Sequence, residues 1–302
     1  MTPTASQPFR IGTRASPLAL AQAEMAKAAL CAIHGWAADA VQLVPMLSAG
    51  DKDQSRPLAD MGGKALWTKE LERALIEGDI DIAVHSMKDV ETVRPDTFHI
   101  AAMLPRADVR DRLIGADSIM SLPPSALVGT SSPRRAAQLK ALRPDLTTEP
   151  IRGNVATRMA KVANGDFAAT LLAAAGLDRL GLANTGAAIA INQLLPAASQ
   201  GAIGIDCLST CTELAPILDA VNHAETFACV MAERAFLEAL SGNCHSPVAA
   251  LAVVRDGNIW LSGQILSDDG SECIGGEGDD PVALAQQLLA QASPALKALF
   301  TS

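Results

Sequence analysis

Short apolar runs of strand length alternate with amphipathic stretches of helical length from Arg10 to about Met103, and the alternation returns from about Pro105 to Pro196. This order predicts α/β units in which helices cover a sheet. Ser16 and Pro17 read as the N-cap and first residue of a helix running to about residue 30. A second helix follows Trp67 and ends near Gly78. Ile80, Ile82 and Val84 then alternate with Asp81, Ala83 and His85, which predicts a strand running into the polar segment Ser86-Met87-Lys88-Asp89. The second stretch offers a strand at 126–128, a helix from Pro133, a loop at 152–154, a helix from Val155 and an apolar run at 168–175. Another run of strand length, 202–205, follows Ser199-Gln200-Gly201.

The C-terminal part differs in kind. A helix over about 224–240 leads to the turn-rich Ser241-Gly242-Asn243-Cys244-His245-Ser246-Pro247, then to strands punctuated by Asp256-Gly257 and Asp269-Gly270, then to a final helix after Pro281. This predicts a small α+β domain. A chain of 302 residues exceeds the size of one usual core, so two or three domains are expected.

No stretch approaches the roughly 18–20 uninterrupted apolar residues of a membrane span, and the start lacks the apolar region of a secretory signal, so a cytoplasmic protein without a membrane partner is expected. The six cysteines (Cys31, Cys207, Cys211, Cys229, Cys244, Cys273) are scattered with no CxxC pair and no histidine at ligand spacing, so neither disulfides nor a metal is expected. A net charge of −9 argues against a nucleic-acid partner, which would need a basic footprint. Yet 16 arginines stand against 8 lysines, and arginine is the better fork for carboxylates and phosphates.

Where those arginines fall is the clearest chemical clue. Thr13-Arg14-Ala15-Ser16-Pro17, Ser131-Ser132-Pro133-Arg134-Arg135 and Arg152-Gly153-Asn154 through Arg158 each put arginine at or beside a predicted helix N-terminus. A cation there is unfavourable by a few tenths of a kcal/mol, roughly, unless an anion joins it. Three such places suggest a polyanionic ligand; the plainer alternative is that the arginines are solvated or paired with some of the 33 Asp and Glu residues. Neither GxxxxGK[ST] nor GxGxxG follows a predicted strand, so nucleotide binding lacks support.

Asp89 lies at a strand end, where open α/β sheets bind ligands, although an N-cap or a solvated pair would also explain it. Cys244 lies in a loop that could expose a thiol, whereas Cys31 and Cys229 fall in apolar helical patterns and Cys211 is its rival. His85 and His245 are acid/base candidates, with no triad beside either.

RIGTRASPLALAQA at 10–23, DIAVHSMKD at 81–89, VGTSSPRRAAQL at 128–139, IRGNVATR at 151–158, AAAGLDRLGL at 173–182, SQGAIGID at 199–206 and SGNCHSP at 241–247 together resemble the porphobilinogen deaminase (hydroxymethylbilane synthase) family in order and spacing. The resemblance implies two α/β domains of the type II periplasmic-binding-protein kind, with the active site in the cleft between them, plus a small C-terminal α+β domain. Domain 1 would be discontinuous, 1–104 with 202–221; domain 2 would cover 105–201 and domain 3 would cover 222–302. It further implies a monomer that takes porphobilinogen as its substrate and carries a dipyrromethane cofactor, joined to Cys244 by a thioether, as a primer for chain growth. By the same resemblance Asp89 is the catalytic carboxylate. Lys88, Ser131, Arg134, Arg135, Gly153 and Arg158 hold the cofactor, and Arg14, Ser16, Lys64, Thr130, Ser132, Arg152, Arg179 and Gln200 hold the substrate. A solute-binding or ligand-sensing protein on the same fold is the main rival; in it Asp89 and Cys244 would be incidental. A phosphate-transfer enzyme is a second rival, lacking a glycine-rich cradle or a metal-binding acidic cluster.

Overall fold

The computed structural model describes residues 2–47, 65–241 and 246–300, and the chain divides into two compact units, Met1–Ala107 with Gly201–Phe227, and Asp108–Gln200 with Ala228–Ser302. Cys244 and Lys64 lie outside the described residues.

The first unit holds β1 (Phe9–Arg14), α1 (Pro17–His34), β2 (Val41–Met46), α2 (Ala65–Glu77), β3 (Ile82–Ser86) and β4 (Phe98–Met103). Its sheet runs β2-β1-β3-β10-β4, where β10 (Ile203–Leu208) belongs to the segment that returns late in the sequence. β1 is parallel to β2 and β3, whereas β10 is antiparallel to both its neighbours. The start of α1 follows its sequence signals: the Ser16 hydroxyl accepts from the Ala19 N–H at 3.3 Å and Pro17 opens the first turn. The helix runs on to His34, past the expected end near 30, because its first left-handed stop is Gly35, at φ 65. It buries Ala23, Ala26 and Leu30 against Ile11, Ile82, Val84 and Ile205.

The second unit repeats the plan with β5 (Asp111–Ile114), β6 (Leu127–Gly129), α3 (Pro133–Leu142), β7 (Thr147–Glu149), α4 (Val155–Ala163), β8 (Ala169–Ala173), α5 (Ala174–Arg179) and β9 (Ala187–Ala188). The order β7-β6-β8-β5-β9, parallel about β6 and antiparallel about β5, has the same topology as the first sheet. Each sheet thus sets three parallel strands beside an inserted antiparallel fourth. Ser132 and Asn154 cap α3 and α4 by accepting from the backbone of Arg135 and Thr157, as the sequence implied. The apolar run at 168–175 divides into β8 and the first turn of α5, a break that composition alone does not mark.

Following α6 (Ala215–Val221) and α7 (Ala224–Ala239), the chain forms an antiparallel meander of β11 (Val248–Arg255), β12 (Asn258–Leu266) and β13 (Cys273–Gly278), covered by α8 (Pro281–Gln291) and α9 (Pro294–Ala298). Asp256 and Gly257 both take positive φ in the two-residue turn between β11 and β12, the hairpin geometry their pairing predicts. The next turn serves packing as well as reversal. Gly270, at φ +71, lies so close to α3 that a Cβ there would be 2.4 Å from the Ala137 carbonyl and 2.6 Å from the Ala141 nitrogen. Beside it Gln138 donates to Gln264 at 2.7 Å. Because both obstructing atoms are helix backbone, Gly270→Ala should destabilise the fold by roughly 1–3 kcal/mol, read as a lower urea midpoint, with less than 0.5 kcal/mol, roughly a neutral surface substitution, contradicting this packing.

Candidate active site

In the first unit the C-terminal ends of β1 and β3 open onto one pocket lined by Arg14, Ser16, Gln22, Thr68, His85, Ser86 and Asp89, among others. Arg14 ends β1, Ser16 caps α1, and Asp89 closes the single 3-10 turn Met87–Asp89 that follows β3. That turn is drawn tight against β10: a Cβ on Gly204 would fall 2.0 Å from the Met87 sulfur, so Met87 can pack beneath the polar residues only because Gly204 has no side chain. Lys88 and Asp89 remain half-buried on the turn while Met87 is fully buried. Gln22, which the sequence reading missed, is 3% exposed and its amide nitrogen has no partner among the described residues. The available signal was a polar residue on the otherwise apolar inner face of α1.

Behind the pocket lies a buried ionic cluster. Asp206 on β10 is fully buried and takes one hydrogen bond from Arg94 at 2.8 Å, and Arg94 also bonds Glu72 at 2.5 Å. His85 Nε2 points at Asp206 Oδ2 from 3.6 Å, beyond hydrogen-bond range, and neither Nε2 nor Asp206 Oδ1 has a partner among the described residues. Burial pushes the His85 imidazole below its usual pKa; Asp206, Glu72 and Asp89 oppose that effect and Arg94 adds to it.

The second unit gathers a different set. Arg134 and Arg135, in the first turn of α3, both reach Asp111 on β5, at 2.8 and 2.6 Å, one to each carboxylate oxygen. Arg134 also donates to the Leu195 carbonyl and Gln138, and Arg135 to the Leu171 carbonyl. Burial works against the Asp111 charge, but Arg135 and Arg134 together hold the carboxyl well below its usual range. For this cluster the anion at the helix N-terminus is therefore the protein's own aspartate. Each arginine thus commits one nitrogen to this carboxylate, since a buried carboxylate must draw in cations.

Gln200 joins the same cluster: it is 1% exposed and donates its amide to Asp111 and to the Val109 carbonyl. Thr130 is buried, with its hydroxyl oxygen accepting from the Ser132 N–H, and Ser131 donates to the Ile151 carbonyl. Arg152, Arg158 and Arg179 are half-buried; Arg158 reaches back to the Gly153 carbonyl, and Gly153 takes φ +107. Burial lowers Arg179 to about 10, which leaves it a cation at neutral pH. The structure thus groups Arg14, Ser16 and Asp89 in one unit, and Thr130–Arg135, Arg152–Arg158 and Arg179 in the other. Cys211 is a half-buried free thiol, and burial pushes the Cys207 thiol up to about 11. No helix among the described residues is long and apolar enough to cross a membrane.

Comparison with known proteins agrees with the motif resemblance. The family model "Porphobilinogen deaminase, dipyromethane cofactor binding domain" matches residues 9–215, and "Porphobilinogen deaminase, C-terminal domain" matches 227–297. A porphobilinogen deaminase of Sphingopyxis alaskensis is 54% identical, covering 99% of this chain and 98% of that protein. One from Paracoccus denitrificans is 46% identical over 93% of this chain and 91% of its own length, and a chloroplastic one from Pisum sativum is 47% identical over 88% and 74%.

Two outcomes follow from the buried charges. Removing Asp111 while keeping both arginines leaves uncompensated cations inside the protein, so Asp111→Ala should lose about 3–5 kcal/mol in equilibrium unfolding; a loss under about 1 kcal/mol would fit only a solvated pair. His85 titrates near its usual value in the unfolded chain but lower in the folded one. Stability should therefore be steady above the unfolded value and fall as pH drops below it, by at most about 1.4 kcal/mol per pH unit until the folded value is reached. Denaturation midpoints between pH 7 and 5 should fall less steeply in His85→Gln than in the parent, and parallel curves would show that His85 carries no such shift.

Proposed function

The chain belongs to the porphobilinogen deaminase family, and we propose that it acts as a hydroxymethylbilane synthase, a transferase of tetrapyrrole and heme biosynthesis. It would remove ammonia from four porphobilinogen molecules, join them head to tail on a dipyrromethane primer held by Cys244, and release the linear tetrapyrrole hydroxymethylbilane by hydrolysis. The observation carrying this reading is that both family models match in sequence, over 9–215 and 227–297, while Asp89 and Arg14 line one pocket. The same reading makes the protein a cytoplasmic monomer.

The residues present suit a group that bears carboxylates. Around Asp111 two guanidinium groups meet one carboxylate, which leaves a positive charge over, and the Nε atoms of Arg134 and Arg135 have no acceptor among the described residues. Each porphobilinogen brings an acetate and a propionate, about two negative charges near neutral pH. A growing chain of several rings needs many cations, which accounts for arginines gathered at helix ends in an acidic protein. Arg134, Arg135, Arg158, Lys88, Ser131 and Gly153 are assigned to the primer in this reading. Arg14, Ser16, Thr130, Ser132, Arg152, Arg179 and Lys64 are assigned to incoming substrate, and Gln200 acts by fixing Asp111.

The primer, when bound, supplies the electron-rich pyrrole carbon that attacks, so no activated side-chain nucleophile is required. The substrate loses ammonia and becomes an azafulvenium cation. Asp89 stabilises that charge, accepts hydrogen bonds from pyrrole N–H groups and would take up the proton that the attacking pyrrole at the chain end loses as it regains aromaticity. Arg14, at the rim of the same pocket, faces the carboxylates and orients the ring against Asp89.

Intact-protein mass spectrometry tests the whole reading. The parent should carry a mass excess of two linked pyrroles that is lost in Cys244→Ser and grows by single-pyrrole steps on adding porphobilinogen. Asp89→Asn should carry the primer but turn over negligibly. An unmodified parent that does not grow on substrate would favour the solute-binding alternative, and near-normal turnover by Asp89→Asn would remove Asp89 from the catalytic role.

A further inference from the structure

Behind Asp89, Asp206 and Glu72 both bond to Arg94 and Glu91 lies 3.5 Å from the same guanidinium; among these four groups carboxylates outnumber cations, and one imidazole lies at their edge. His85 is 7% exposed and lines the pocket that holds Asp89, while its Nε2 faces the fully buried Asp206. Protonating the ring would place a positive charge against the carboxylate excess. It would also draw Nε2, unpartnered among the described residues, toward Asp206 Oδ2, 3.6 Å away and already bonded to Arg94, as a charged hydrogen bond. Burial nonetheless outweighs these carboxylates, so the ring is neutral at rest and a proton on it is held only in passing, against Asp206.

We propose that His85, backed by Asp206 and Arg94, is the proton acceptor through which Asp89 is reset in each cycle of chain growth. This rests on the function proposed above. The proton balance of that reaction requires such a group. An aminomethyl group leaves as ammonia, a carbon–carbon bond forms to the free α-carbon of the terminal pyrrole, and that carbon then loses its proton to Asp89. Asp89 must return to the carboxylate before the next cation forms. A proton passed to the imidazole restores it, and His85 gives the same proton to the departing ammonia or to water, so each turn releases one ammonium and leaves both residues as they began. A ring that burial holds below its usual pKa does not keep the proton, while Asp206 facing it offsets part of the cost of taking it up. The charged groups facing it are Asp206 from β10, Glu72 from α2, Arg94 from the segment after β3, and Asp89 on the pocket side, with Arg14 on the pocket wall.

The test uses the primer-loaded protein and porphobilinogen deuterated at its free α-carbon. His85→Gln, which keeps bulk and polarity but is not basic, should load primer and keep KM close to the parent value while kcat falls about a hundredfold. A primary isotope effect on kcat, absent in the parent, should appear as the α-proton becomes the slow one to leave. Asp206→Asn should move kcat and the isotope effect in the same direction by a smaller amount, and should shift the acid limb of the kcat pH profile. His85→Gln with kcat near the parent and no isotope effect would overturn the relay. If that variant fails to load primer, Asp206→Asn decides: unchanged kcat, isotope effect and pH profile overturn it. A parent that does not elongate would instead refute the function itself, and the relay with it.

Discussion

Each of the two similar sheets buries an aspartate on its inserted antiparallel strand, Asp206 on β10 and Asp111 on β5, at 0% and 1% exposure. A lone carboxylate in such a place would cost several kcal/mol, roughly, so neither can exist without cations drawn in from elsewhere in the sequence. The rest of each site follows from how that demand is met. Among the described residues of the first unit, Arg94 bonds both Asp206 and Glu72 and lies 3.5 Å from Glu91. In the second unit two arginines answer one carboxylate, and the surplus is positive. The same architectural position is thus answered by one shared arginine in the first unit and by two arginines in the second.

Local features were legible because they are decided within a few residues. Ser16, Ser132 and Asn154 cap the helices they precede, Pro17 and Pro133 open them, and Asp256-Gly257 makes the hairpin turn, since each depends on backbone groups one to three positions away. The chemical surprise of arginines at helix N-termini was also legible. What the sequence could not show was which anion answers them. Asp111 lies on a four-residue strand with no strong alternation of its own, and its pairing with Arg134 and Arg135 exists only once β5 is inserted between β8 and β9. His85 is the parallel case: nothing beside it in the sequence suggests a partner, because Asp206 arrives on a strand that the chain supplies only after building another sheet.

The position of Asp111 depends in turn on the C-terminal meander. Ser199 takes φ 65, an uncommon conformation for a residue with a side chain, while its N–H donates to Glu233 on α7 at 2.6 Å. The other Glu233 oxygen accepts from the Ala252 N–H on β11 at 2.8 Å. A buried carboxylate accepting two backbone N–H groups fixes both segments at once and offsets the strain at Ser199. The next residue, Gln200, donates to Asp111. α7 and β11 are also the elements that flank the segment 242–245 in sequence, so one side chain, Glu233, links them through Ser199 and Gln200 to the carboxylate that pairs with Arg134 and Arg135. A glycine at 199 would remove the backbone strain but also free the segment in the unfolded chain, which explains how serine can stand there without loss: the Glu233 bond, rather than the residue's own preference, sets the conformation.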